Sequence, residues 1–147
     1  MKKVHFIGIG GIGISAIARF LKEKKFIISG SDISESETVR DLRNEGMKIS
    51  TPHSKNNITD QDFVVYSAAI KPDNEELVEA NKKGIKCYSR KEILPFVLKD
   101  KKVFSVAGAH GKSTTSAMLS SLIEGSVIIG AISKQFGSNM KYFESDK

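Results

Sequence analysis

Two glycine-rich turns carry the residues best suited to chemistry. Gly8-Ile9-Gly10-Gly11-Ile12-Gly13 lies near the start of the chain, and Gly108-Ala109-His110-Gly111-Lys112-Ser113 about a hundred residues later. Each follows a β-branched apolar run and opens an apolar-periodic stretch. In that setting, backbone amides and a helix N-terminus are placed to hold phosphate. Two such turns in one chain point to two phosphorylated ligands.

In Gly8-x-Gly10-x-x-Gly13 the first glycine permits the tight turn, the second admits a pyrophosphate, and the third allows close helix-strand packing. Asp32 follows nineteen residues after Gly13, at the end of a second apolar run. A dinucleotide fold places its ribose-binding acid there, and a turn or helix-capping aspartate reads equally well. The spacing leaves the nucleotide's identity open.

Lys112-Ser113 after a glycine matches the working end of a phosphate loop, in which lysine reaches the β- and γ-phosphates and the hydroxyl binds magnesium. Val106 occupies the place where the regular pattern has its first glycine, so this loop is the shorter Gly108–Ser113. A lysine at the start of a helix opposes the dipole unless an anion joins it. His110 reads equally as a phosphate contact or as loop filling. His5 reads as a core histidine and Cys87 as a strand-interior thiol.

The elements that must position these residues follow from periodicity. Short apolar strands are predicted at Val4–Ile9, Phe26–Ser29, around Ile49, at Phe63–Tyr66 and at Ile85–Tyr88. Helices alternate with them: one carries Ile12, Ala16, Ile17, Phe20 and Leu21, one opens with a Ser34–Glu37 capping box, one follows Pro72-Asp73-Asn74, and one opens with Ser89–Glu92 and breaks near Pro95. The expected architecture is an α/β, Rossmann-like, doubly wound parallel sheet with its ligand site beyond the C-terminal strand ends. Lys99-Asp100-Lys101-Lys102 marks a boundary. Beyond it Val103–Ala107 is predicted to begin the first strand, phosphate loop and helix of a second α/β domain, the helix burying Ala117, Met118, Leu119, Leu122 and Ile123. Val127–Ile129 reads as a further strand, and from Gly137 the chain turns polar.

The formal net charge of +6 favours anionic partners. Lysine and arginine are spread along the chain without arginine-rich runs or interleaved aromatics, which argues against dedicated nucleic-acid binding. One cysteine permits no internal disulfide and fits a reducing cytoplasm. Three scattered histidines offer no zinc spacing. No apolar run reaches the roughly 18 residues of a membrane span. His5 and the clustered glycines are poor material for a signal helix.

With these residues in view, the chain resembles the Mur ligase family. The resemblance spans nearly the whole chain and rests on His5–Gly13 with Ser15, Gly30-Ser31-Asp32, Ser67-Ala68-Ala69-Ile70 with Asp73-Asn74, Ser89-Arg90, and Gly108–Thr115. It implies that residues 1–99 form a UDP-sugar-binding domain and residues 100–147 the truncated start of the family's central ATP-binding domain. Gly10, Gly11, Ile12, Gly13 and Ser15 would hold the diphosphate, with Asp32, Ser67, Ala68 and Ala69 near uridine. Gly108, Ala109, His110, Gly111, Lys112, Ser113, Thr114 and Thr115 would form the ATP site. Lys112 on the phosphates and Ser113 on Mg2+ are the catalytic part.

The implied reaction is ATP-dependent joining of L-alanine to UDP-N-acetylmuramate through an acyl phosphate, in cytoplasmic peptidoglycan synthesis. The oligomeric state is left open. Ala109 stands where the family usually has threonine, and Pro52-His53 where it has glycine-histidine. The family's acidic metal-binding segment, modified lysine and C-terminal domain are expected beyond Lys147, so the chain is expected to bind without turning over. Alternative readings are a related ligase attaching a peptide to the same sugar nucleotide, an NAD(P)-dependent oxidoreductase, and a nucleotide-sensing module.

Overall fold

The computed structural model describes residues 1–144. Five short strands, β1 (Lys3–Ile7), β2 (Ile27–Ser31), β3 (Lys48–Ser50), β4 (Phe63–Tyr66) and β5 (Lys86–Ser89), form one parallel sheet in the order β3-β2-β1-β4-β5. Four helices connect or follow them: α1 (Ile12–Glu23), α2 (Glu37–Asn44), α3 (Glu75–Lys82) and α4 (Arg90–Val97). This is the doubly wound sheet expected from the alternating periodicities.

Side chains alternate across a strand, so β1 sends Val4 and Phe6 to one face and His5 and Ile7 to the other. The first face packs Val4, Phe6, Ile28 and Val65 against Ile17 and Leu21 of α1, Val39 and Leu42 of α2, and Ile93 and Val97 of α4. On the second, Ile7 and Val64 meet Leu77 and Ala80 of α3, with Ile58 beside them. Burying each such aliphatic side chain contributes about 1.5–3 kcal/mol, which seats the helices and fixes where their ends fall.

Local signals set most helix ends. The Asn74 side chain caps α3 by accepting from Glu76 N and Leu77 N. Ser89 and Glu92 form the predicted capping box at α4, which runs through Pro95 and ends two residues later. The Ser34–Glu37 box does not form. Ser36 is the cap of α2 instead, accepting from Val39 N at 3.2 Å, because the Asp32 carboxylate accepts from the Ile33 amide and holds the chain short of helix there.

Beyond α4 lie α5 (Lys112–Leu122), β6 (Val127–Ser133) and β7 (Ser138–Lys141). The predicted strand Val103–Ala107 is absent: a strand needs ladder partners, and none flanks this segment among the described residues. For the same reason the expected apolar face of α5 stays largely uncovered, with Met118 64% and Leu122 81% exposed. β7 lies where no strand was expected. It pairs antiparallel with β6, and the hairpin packs back onto α1, adding Met140 to the main core and setting Tyr142 edge-to-face on Phe20.

Candidate nucleotide-binding site

The C-terminal ends of the parallel strands carry Gly8–Gly13 after β1, Asp32 after β2, Ser67–Ile70 after β4 and Arg90 after β5. They share one edge of the sheet, the ligand-binding edge of this fold class. Gly8 has φ +76 and begins the turn, its amide donating to Ser31 O at 2.8 Å and that of Ile9 to the same oxygen at 3.0 Å. Gly10 N donates to Asp32 Oδ2 at 2.8 Å, and Gly11 N to Gly8 O at 3.3 Å. The amides of Ile12 and Gly13, first in α1, have no acceptor among the described residues, and no side chain caps the helix. They are the donors left for an anion.

Arg90 stands directly over them. A Cβ on Gly13 would lie 2.6 Å from Arg90 Cζ and 2.8 Å from its Nη1, so only glycine lets the guanidinium approach the start of α1. Among the described residues no carboxylate pairs with Arg90. Arg90 is itself the first residue of α4, so a guanidinium and the positive ends of two helices converge. A diphosphate would neutralise that concentration of positive charge.

A buried network braces the turn from below. Glu76, fully buried, accepts from Ser31 Oγ, from Asn57 Nδ2 at 2.6 Å and from Ser54 N at 3.0 Å. His5 Nε2 and His53 Nδ1 lie 3.5 Å and 3.4 Å from its carboxylate. Burial pushes the Glu76 carboxyl upward, but the neighbouring His5 ring and the hydrogen bonds from Ser31, Asn57 and the Ser54 amide outweigh it and hold the pKa at about 2. Ser31 thus has its side chain fixed by Glu76 while its carbonyl fixes Gly8 and Ile9.

The second loop is built differently. Gly108 and Gly111 both have positive φ, and Gly111 precedes α5 in the left-handed region. Lys112 Nζ donates to Gly108 O at 2.6 Å and Ala109 O at 3.1 Å, which holds the ammonium over the loop. Ser113, Thr114 and Thr115 are exposed, and their hydroxyls have no partner among the described residues. The loop suits phosphate oxygens. For magnesium it offers the Ser113 hydroxyl, and no cluster of three His, Cys, Asp or Glu residues stands ready among the described residues.

The structure thus brings Gly10–Gly13, Asp32, Ser67, Ala68 and Ala69 to one edge, where Ser67 and Ile70 abut Gly8. No hydrogen bond joins residues 108–115 to that edge. Asp32 serves as the turn aspartate, its two oxygens taken by the Gly10 and Ile33 amides. Ser15 is buried, donating to Ile12 O at 3.0 Å and accepting from Asn139 Nδ2 at 2.8 Å, so its hydroxyl is occupied within the chain. His5 is the expected core histidine. Sequence reasoning passed over Arg90 as a site residue, although its signal was the one that singled out Lys112: a cation at the first position of a helix.

Comparison with known proteins fits this geometry. Residues 3–102 match the Mur ligase family, catalytic domain. The chain is 80% identical over 146 residues to a UDP-N-acetylmuramate--L-alanine ligase of Campylobacter curvus, covering 99% of this chain and 34% of that protein. It is 50% identical over 145 residues to the enzyme of the same name from Helicobacter pylori, covering 98% of this chain and 32% of the other. Among solved structures it matches the UDP-N-acetylmuramate-alanine ligase of Thermotoga maritima with a TM-score of 0.90 and 35% identity, over 97% of this chain and 35% of that one. A UDP-N-acetylmuramate:L-alanyl-gamma-D-glutamyl-meso-diaminopimelate ligase from Neisseria matches at TM-score 0.87 and 26% identity, over 97% of this chain and 47% of that one. The chain therefore spans about a third of the length of the curated relatives it matches.

Proposed function

Because the chain belongs to the Mur ligase family, we propose that it supplies two nucleotide sites to the ATP-dependent joining of L-alanine to UDP-N-acetylmuramate. Residues 1–99 bind the UDP part of the sugar nucleotide. The Ile12 and Gly13 amides and Arg90 hold the diphosphate, and Ser67–Ala69 lie toward uridine. Residues 100–147 carry the ATP loop, in which Lys112 contacts the β- and γ-phosphates and the Ser113–Thr115 hydroxyls further phosphate oxygens.

Charge governs the chemistry. Phosphoryl transfer to the muramyl carboxylate brings two anions together, and a positioned lysine lowers the barrier by neutralising the transferring group. The resulting acyl phosphate is attacked by the amine of L-alanine, forming an amide and releasing phosphate. Magnesium, held in part by Ser113, would screen the phosphate oxygens.

The observation that carries the reading is the Arg90 guanidinium, without a carboxylate partner among the described residues, over two free amides, because it calls for a compact dianion. An NAD(P) oxidoreductase is disfavoured, since Asp32 has both oxygens bound by backbone amides rather than presented to a ribose. Calorimetric titration with UDP-N-acetylmuramate, UDP, NAD and NADP tests this. UDP compounds should bind and the nicotinamide nucleotides should not; tighter binding of NAD would reverse the assignment.

A further inference from the structure

Asn139 sits in β7, far along the chain from the first turn, yet its side chain is completely buried against the start of α1. Its amide nitrogen donates to Ile12 O at 2.6 Å and to Ser15 Oγ at 2.8 Å, and its amide oxygen accepts from Arg19 Nη1 at 2.6 Å. Arg19, only 7% exposed, completes the arrangement by donating through Nε and Nη2 to Glu45 beyond α2. Every polar atom of the Asn139 side chain is thereby used. Ile12 is the residue whose amide, with that of Gly13, faces the anion position.

We propose that Asn139 is a positioning residue for the diphosphate cradle: from the hairpin that follows the Lys112 loop, it pins the first turn of α1 and sets the direction of the Ile12 and Gly13 amides. The inference rests on reading the first turn as a diphosphate site. Several features support it. The asparagine amide offers two N–H donors for the two oxygens on α1 and a carbonyl acceptor for Arg19 at one position. A buried amide with all its groups satisfied specifies one geometry, and a misfit costs the full desolvation of the orphaned groups. The hairpin is in turn tied to α5, Gln135 Nε2 donating to Ser121 Oγ at 2.6 Å and Lys141 Nζ to Ser120 O at 3.4 Å. The segment after the second loop therefore helps build the first site.

Two substitutions separate this role from simple packing. Asn139→Ala removes all three contacts, whereas Asn139→Asp keeps an acceptor for Arg19 but no longer donates to Ile12 O. If the donor positions the turn, both variants should weaken UDP binding by calorimetry at least roughly fivefold while leaving Mg-ATP binding within about twofold, and the Ser15→Ala/Asn139→Ala double variant should lose less than the product of the single losses. In amide NMR spectra of the unliganded protein, the Ile12 and Gly13 signals should shift in Asn139→Asp, with those of Gly108 and Gly111 unmoved. Unchanged Ile12 and Gly13 signals, or equal loss at both nucleotide sites, would overturn the proposal. The amide readout needs no ligand, so it decides the role of Asn139 even where wild-type protein fails to bind UDP, a result that would instead defeat the functional reading.

Discussion

Arg90 and Lys112 hold equivalent places, each the first residue of a helix, where a positive charge is disfavoured until an anion arrives. Their effects should separate by ligand. Arg90→Ala is expected to weaken UDP binding roughly 10- to 100-fold, the worth of a charge-assisted hydrogen bond, with ATP binding kept. Lys112→Ala should do the reverse, and calorimetry with each nucleotide reads both; loss of both ligands in one folded variant would contradict separate sites. Glu76 makes a pH prediction. Its folded pKa of about 2 lies below the ordinary 4.5, so its contribution is present above pH 4.5 and disappears as the pH falls from there toward 2. The shift corresponds to at most roughly 3 kcal/mol. Urea denaturation across that window should show the loss in wild type and a flatter acid limb in Glu76→Gln. Lys112 and the first glycines were legible because their spacing is local. Glu76 was not, since an acid in the first turn of a helix looks like any dipole partner until His5, Ser31 and His53 are folded around it.

At the level of elements, short-range signals were reliable wherever the partner was also local. The Ser89–Glu92 box and the Asn74 cap needed only neighbouring amides, and both formed. Ser89→Ala should therefore destabilise the protein by about 1 kcal/mol, the usual worth of an N-cap, and loosen Arg90 as well, so that UDP affinity falls along with the unfolding midpoint. A drop in stability with unchanged UDP affinity would detach the cap from the site. The Ser34 box failed where Asp32, held by the Gly10 amide of another loop, accepts from the Ile33 amide and leaves Ser36 to cap α2. Val103–Ala107 has strand composition without strand neighbours, and β7 forms from the polar Ser138–Lys141 because β6 and α1 receive it. Composition alone could not decide either case.

Over the whole molecule, β1–β5 make a two-faced sheet to whose core the β6–β7 hairpin adds Met140, while α5 leaves Met118 and Leu122 in solvent. The relatives it matches are about three times longer. The amino-acid order by itself determined the parallel α/β sheet, the two glycine-rich turns and the family resemblance, because periodicity, glycine placement and capping act over a few residues. Folding alone decided that Arg90 covers Gly13, that Asp32 and Ser15 spend their oxygens inside the protein, and that Asn139 reaches Ile12. Those are contacts between residues distant in sequence, and their partners exist only once the layers have packed.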